Sequence, residues 1–142
     1  MSHGSSRARA LPLLAIAVAV AAVAACSGST STGVTLTNAD LVGSYSLVSL
    51  SQSGSQPVGP PVAVGTLVLQ ADSVYAVNIT VNTQPPVVIS DTGIFLVNGS
   101  SWSQQSTVDS TLPQTTGTVR FRNDTLQVSS ASAGVTMTWF KQ

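Results

Sequence analysis

The stretch that decides the fold is SVYAVNITVN, residues 73–82, in which apolar side chains stand at every second position. The apolar set is Tyr75, Val77, Ile79 and Val81, and the set between them is Ala76, Asn78, Thr80 and Asn82. Successive side chains of a strand point to opposite faces, so this period of two predicts a β-strand with one buried face. From residue 38 onward no apolar pattern of helical period extends over a dozen residues, which predicts an all-β protein.

Seven further segments read as strands, and turn-forming residues separate them. Together with the first, the predicted strands are residues 42–52, 63–71, 73–82, 87–98, 101–109, 114–123, 125–130 and 134–141. The strongest hairpin signal between them is Asn98-Gly99, because both residue types tolerate the positive φ angles of a type I′ turn. The alternation predicts about eight antiparallel strands joined in sequence.

An internal repeat supports this division of the chain. Residues 65–69 (GTLVL) with 72–74 (DSV) recur 52 positions later as 117–121 (GTVRF) with 124–126 (DTL), and a looser copy begins at Gly93. Each unit is a strand, a tight polar turn and a returning strand. Sequential hairpins of this kind build an up-and-down meander, and closing eight strands into a barrel removes exposed sheet edges.

Several segments of the chain resemble the small bacterial lipocalin-like domains that often follow a lipoprotein signal. They are residues 41–47 (LVGSYSL), 65–75 (GTLVLQADSVY), 92–95 (TGIF) followed by Asn98-Gly99, and 134–139 (GVTMTW). The resemblance implies a lipocalin-like barrel, in some members with an apolar ligand cavity, and for most bacterial members no established biochemical activity. The chain departs from the lipocalin opening Gly-x-Trp at Tyr45, which stands where the Trp would be.

The first 25 residues are expected to be an export signal. Arg7 and Arg9 precede an apolar run over residues 11–25, which is shorter than the roughly 20 residues that span a bilayer. The run ends in Val23-Ala24-Ala25-Cys26, which resembles the bacterial lipobox; that resemblance implies diacylglycerol on the Cys26 thiol and cleavage just before it. The alternative is an ordinary small-x-small cleavage site that leaves Cys26 as a free thiol.

These assignments divide the chain into three parts. Residues 1–25 are the signal peptide, residues 26–37 are the lipidated Cys and a Gly/Ser/Thr-rich tether, and residues 38–142 are the barrel domain. The predicted location is the bacterial cell envelope, with the domain lipid-anchored to a membrane and facing the periplasm or the exterior.

The composition argues against catalysis and against binding of nucleic acid. There is no Glu, and the only His and the only Cys are His3 and Cys26, so His- or Cys-dependent triads and metal sites are excluded after export. Charged residues are 7% of the chain, and the three basic and five acidic residues after position 26 form no basic stripe. We therefore expect no enzyme, no cofactor and no metal.

The candidate ligand residues are aromatic and arginine side chains on the predicted strands. They are Tyr45, Tyr75, Phe95, Trp102, Phe121, Trp139, Arg120 and Arg122. The two arginines flank Phe121 and share one face, so they either clamp a ligand carboxylate inside the barrel or stand in water while Phe121 points inward. The aromatic residues either line a pocket or fill the core, and one of the adjacent Trp139 and Phe140 must be exposed or lie on a bulge.

Two functions agree with these patterns. The first is a membrane-anchored lipoprotein whose lipocalin-like domain binds a small apolar ligand or an envelope protein. The alternative is a structural lipoprotein of the envelope, with a filled barrel and no ligand.

Overall fold

The alternating segments form eight antiparallel strands in the computed structural model, which describes residues 35–142. The strands are β1 (Gly43–Gln52), β2 (Ala63–Leu69), β3 (Val74–Val81), β4 (Val87–Asn98), β5 (Ser101–Ser106), β6 (Thr115–Arg122), β7 (Thr125–Ser130) and β8 (Val135–Lys141). All eight correspond to predicted strands, and the all-β class is confirmed. The predicted signal peptide, Cys26 and residues 26–34 of the predicted tether lie outside the described residues.

Each strand pairs with the next along the chain, and β1 also pairs with β8, which closes the barrel. Tyr75 illustrates the register, because it lies opposite Leu69 on β2 and Gly93 on β4. The pairing of β1 with β8 shifts by one residue between Leu47 and Ser49, a β-bulge that bends β1. The predicted up-and-down meander is therefore confirmed.

The two ends of the barrel differ in how the strands are connected. At one end, here called the closed end, the β4–β5 and β6–β7 connections have two residues each and the β2–β3 connection has four. At the other, the open end, the β1–β2 and β5–β6 connections are much longer.

The two tight turns of the closed end differ in conformation. Asn123 and Asp124 both have positive φ, which is the pattern of a type I′ turn. In the β4–β5 turn Asn98 is the last residue of β4, and only Gly99 has positive φ. The type I′ turn is thus not at Asn98-Gly99, since that connection has the glycine-first pattern of type II′.

A one-turn helix, α1 (Asn38–Leu41), covers the closed end. Leu41 is fully buried there, and the Tyr45 hydroxyl donates a hydrogen bond of 2.5 Å to the Leu41 carbonyl oxygen. Asn38 fixes the helix to the barrel: its side-chain amide donates to the carbonyl oxygen of Phe95 and accepts from the N–H of Val97. The sequence did not predict α1, because four residues are too few to show a helical period.

The packing around Tyr45 fills the closed end further. Its ring meets that of Phe121 edge-on at 6.5 Å, and the Lys141 ammonium lies 5.8 and 5.5 Å from the two ring centres. Cation–π attraction holds the Lys141 ammonium against the rings of Tyr45 and Phe121. Tyr45 therefore closes this end of the barrel at the position where the lipocalin pattern has Trp.

The repeated glycines Gly65, Gly93 and Gly117 share a structural role. All three occupy inward positions of their strands, opposite Ile79, Tyr75 and Trp102 respectively. A Cβ on Gly93 or Gly117 would overlap a carbonyl oxygen of the neighbouring strand, and one on Gly65 would lie 2.7 Å from such an oxygen. The repeat thus marks places where two backbones approach too closely for a side chain.

The core consists of inward side chains from all eight strands and α1. Among the largest fully buried side chains are Trp139, Tyr45, Tyr75 and Phe95. Trp139 is 1% exposed and its neighbour Phe140 is 47% exposed, which confirms that the two aromatic rings face opposite sides. Among residues 35–142 no helix has both the length and the apolar character needed to cross a membrane.

Candidate ligand-binding cavity

A cavity of about 420 Å³ lies inside the barrel and extends toward the open end. Its volume is within the range of small-molecule sites, roughly 300–1,000 Å³. Every strand contributes to its wall; the lining residues are Leu50, Gln52, Leu67, Tyr75, Val77, Ile79, Ile89, Asp91, Trp102, Gln104, Thr115, Val128, Ser130, Ala133, Val135, Met137 and Trp139. Because these side chains alternate with outward ones, the same period of two that forms the barrel also lines the cavity.

Three of the candidate ligand residues line this cavity. Tyr75, Trp102 and Trp139 are each at most 4% exposed and present aromatic surface to the interior. The Trp102 indole N–H donates to the Gln104 side-chain oxygen at 3.1 Å, so this polar group of the wall is already satisfied. The fluorescence of both tryptophans of the chain should therefore change when a ligand enters the cavity.

The other aromatic candidates belong to the packed part of the barrel. Phe95 is fully buried and stacks on Trp102 at 5.4 Å, while Tyr45 and Phe121 pack together at the closed end. None of these three is among the residues that line the cavity. For them the core-filling interpretation agrees with the structure.

Arg120 and Arg122 are exposed on the outer face of β6. Val119, beside Arg120, is 2% exposed, and Phe121 packs against the core, so strand alternation sends both guanidinium groups outward. The structure thus does not bring the arginines to the cavity, and the carboxylate clamp inside the barrel is wrong. The solvent-facing alternative agrees with the structure.

The cavity wall contains a carboxylate that the sequence did not indicate. Asp91 lies in the middle of β4, where its Oδ2 accepts the Tyr75 hydroxyl at 2.5 Å. Its Oδ1 accepts the Ser106 hydroxyl at 2.6 Å and the N–H of Thr92 at 2.9 Å. Charge-assisted hydrogen bonds of this length are strong and hold the carboxylate in one orientation.

The position of Asp91 could have been read from strand phase. It shares the inward phase of β4 with Gly93, Phe95 and Val97, three residues that are buried. Asp72, Asp109 and Asp124 lie in connections between strands, where Asp is common, whereas Asp91 lies within β4. A polar residue in phase with an apolar set is the signal that would have found it.

The electrostatics of the cavity are simple because charge is scarce. Asp91 is the single charged residue among those that line it. Burial and the hydrogen bond to Asp91 raise the pKa of the Tyr75 hydroxyl above its ordinary value, so this group remains a protonated donor. Within residues 35–142, no group of three His, Cys, Asp or Glu side chains is arranged to hold a metal ion.

Known proteins that resemble this chain support its fold and say nothing about its function. No protein-family model and no curated protein sequence matches the chain. Among solved structures, the chain is similar to an uncharacterized protein from Bacteroides eggerthii DSM 20697. The sequence identity is 9% and the TM-score is 0.50, over 71% of this chain and 98% of that chain. At this identity the likeness supports a shared barrel fold only.

Proposed function

We propose that this protein is a membrane-anchored bacterial lipoprotein whose lipocalin-like barrel binds a small apolar molecule. The observation that carries the proposal is the cavity of about 420 Å³, which is lined mainly by aliphatic and aromatic side chains. A small eight-stranded barrel encloses either packed side chains or one small ligand. An interior cavity favours a small molecule over an envelope protein as its occupant and argues against the filled structural barrel.

Apolar residues around the open end support entry of such a ligand. Val62, Val87, Ile89, Val108 and Leu112 lie in or beside the connections at this end and are 46–72% exposed. Apolar residues around an entrance are typical of sites that admit apolar molecules, since binding is driven by removing apolar surface from water.

The course of the chain bears on where the proposed anchor joins the domain. The described chain begins beside the closed end, where the Gly99 N–H donates to the Leu36 carbonyl oxygen and Thr37 pairs with Asn98. A lipid on Cys26 would thus connect to the domain from this end. The anchor would then be attached at the end of the barrel opposite the cavity entrance.

The anchor is tested by Cys26→Ala in cells, followed by membrane fractionation and detergent phase separation. We expect the wild-type protein in the detergent phase as the processed, acylated form. The variant should accumulate without acyl chains as an uncleaved precursor. Processing and acylation of the variant equal to those of wild type would refute the lipobox interpretation.

Ligand binding is tested with octanol, whose heavy atoms at roughly 30 Å³ each occupy about 270 Å³ and fit the cavity of about 420 Å³. Because Trp102 and Trp139 both line the cavity, octanol should change the tryptophan fluorescence of the full chain in nanodiscs. Val77→Phe places a larger side chain in the cavity and should weaken the effect. The matched change Val64→Phe, on the exposed outer face of β2, should leave it unchanged.

Two results would overturn the ligand-binding proposal. One is the absence of any saturable fluorescence change with octanol. The other is an equal response in the Val77→Phe and Val64→Phe variants, which would place octanol outside the cavity.

A further inference from the structure

We propose that the cavity selects apolar ligands that carry an ammonium group and rejects apolar carboxylates, with Asp91 as the group that binds the cation. This inference rests on the proposed function, because it names the ligand class of the same cavity. The juxtaposition that supports it is a single carboxylate in a wall of aliphatic and aromatic side chains.

The hydrogen bonds of Asp91 leave room for one more donor. A carboxylate offers about four acceptor sites, and Asp91 uses three of them, for Tyr75, Ser106 and the backbone N–H of Thr92. These bonds fix the carboxylate without neutralising its charge, since each donor is a neutral group. An ammonium group entering the cavity would therefore meet an oriented anion with acceptor capacity left.

The supporting hydroxyls are themselves held in place. Ser106 is 8% exposed, and its oxygen also accepts the N–H of Asp109 at 3.2 Å. Tyr75 is 2% exposed and lies opposite Gly93, where no side chain competes for space. Because burial and these contacts hold both donors, the carboxylate is preorganised and binding orders little of the protein.

No basic side chain of the described barrel competes for the carboxylate. The basic residues in residues 35–142 are Arg120, Arg122 and Lys141. The arginines are exposed on the outer face, and the Lys141 ammonium lies over the rings of Tyr45 and Phe121 at the closed end. The negative charge in the cavity is therefore available to a ligand cation, and it repels a ligand carboxylate.

The test compares octylamine, octanol and octanoate at neutral pH, using tryptophan fluorescence of the full chain in nanodiscs. We expect octylamine to bind about tenfold more tightly than octanol, and octanoate to bind more weakly than either. Asp91→Asn should reduce the amine preference to about twofold or less. Partitioning into lipid is common to all variants, so the change in the ratio between variants reports on the cavity alone.

The matched control is Asp72→Asn, which removes the same charge from the β2–β3 turn outside the cavity. The N–H of Val74 donates to the Asp72 side-chain oxygen, and an Asn oxygen can accept the same bond. This control should keep the tenfold preference. Tyr75→Phe provides a second test should Asp91→Asn fail to fold. It retains the carboxylate with its bonds to Ser106 and Thr92 and frees one acceptor site, so the preference for octylamine should persist, and its loss would overturn the inference.

The results separate this inference from the function on which it rests. If none of the three ligands binds, the proposed ligand-binding function is wrong, and the ligand class is wrong with it. If octanol binds and octylamine shows no preference that depends on Asp91, the cavity binds ligands and the inference is overturned. A gain in octanoate binding over octanol would overturn it as well.

Discussion

Replacing Gly93 by Ala tests whether close approach of β4 and β5 is needed to close the barrel. A methyl group at this position would overlap the carbonyl oxygen of Gln105 and lie 2.7 Å from Cε1 of Tyr75. The nearest obstacle is backbone, which cannot rotate away as a flexible side chain could. The two strands would have to separate by on the order of 1 Å, or the Tyr75 ring would have to leave its position.

The cost can be worked from these contacts. Overpacking a close-packed interior costs about 1–3 kcal/mol, and each weakened ladder hydrogen bond adds about 1 kcal/mol. We therefore expect Gly93→Ala to lower the free energy of unfolding by about 3 kcal/mol. A domain of this size is stable by about 5–15 kcal/mol, so the variant should still fold. With a urea slope of about 1.5 kcal/mol per molar, the unfolding midpoint should fall by about 2 M.

Urea unfolding followed by circular dichroism measures this loss of stability. Two other Gly→Ala substitutions serve as references for its size. Gly54 has a φ of 80° and no atom within 4 Å of an added Cβ, so Gly54→Ala should cost only the left-handed backbone penalty of about 1 kcal/mol. Gly65→Ala, with its milder contact of 2.7 Å, should fall between the two. Equal losses at Gly93 and Gly54 would refute the steric reasoning.

Three further predictions concern the closed end. Tyr45→Phe removes the hydrogen bond to the Leu41 carbonyl and should lower the free energy of unfolding by about 1–3 kcal/mol in urea titrations, whereas no loss would mean that water replaces the hydroxyl. Burial, and then the negative charge of Asp124, raise the pKa of Tyr45 to about 12. The phenol therefore ionises first in the unfolded chain, so stability should be full below about pH 10 and fall toward pH 12. Thermal unfolding across that interval should show a shallower decline in Tyr45→Phe, and an unchanged slope would contradict the assignment. Leu41→Ala should cost about 2–5 kcal/mol by leaving a void under α1, measured by the same urea titration; a loss below about 1 kcal/mol would mean that α1 does not seal the barrel.

The strands could be predicted from the sequence because each carries its own signal. Alternation decides which side chains are inward, and for this reason Trp139 and Phe140 could be assigned to opposite faces. Hairpin order followed from the turn residues, although the type I′ turn is at Asn123-Asp124 and not at Asn98-Gly99. These features depend on neighbours in sequence, which a sequence displays directly.

The features that could not be predicted depend on contacts between distant segments. α1 is held by Asn38 through bonds to β4, 57 and 59 positions away along the chain. The Asp91 site combines residues from β3, β4 and β5, and only barrel closure shows that the three side chains face a common interior. The arginines are a partial case, since strand phase shows that they share one face and only the structure shows that this face is the outer one.

The residues that stabilise the barrel and the residues proposed to bind the ligand lie toward opposite ends of the barrel. The closed end contains α1, the tight turns and the fully buried Leu41 and Tyr45, whereas the open end contains the long connections and the cavity. Placing a carboxylate in the apolar wall costs solvation free energy, and three hydrogen bonds to Asp91 offset that cost. In a barrel with a purely structural role, apolar side chains could replace the hydrogen-bonded set of Asp91, Tyr75 and Ser106 at little cost. A ligand cation would use the acceptor site that these three bonds leave, and this is the physical reason for assigning Asp91 to binding.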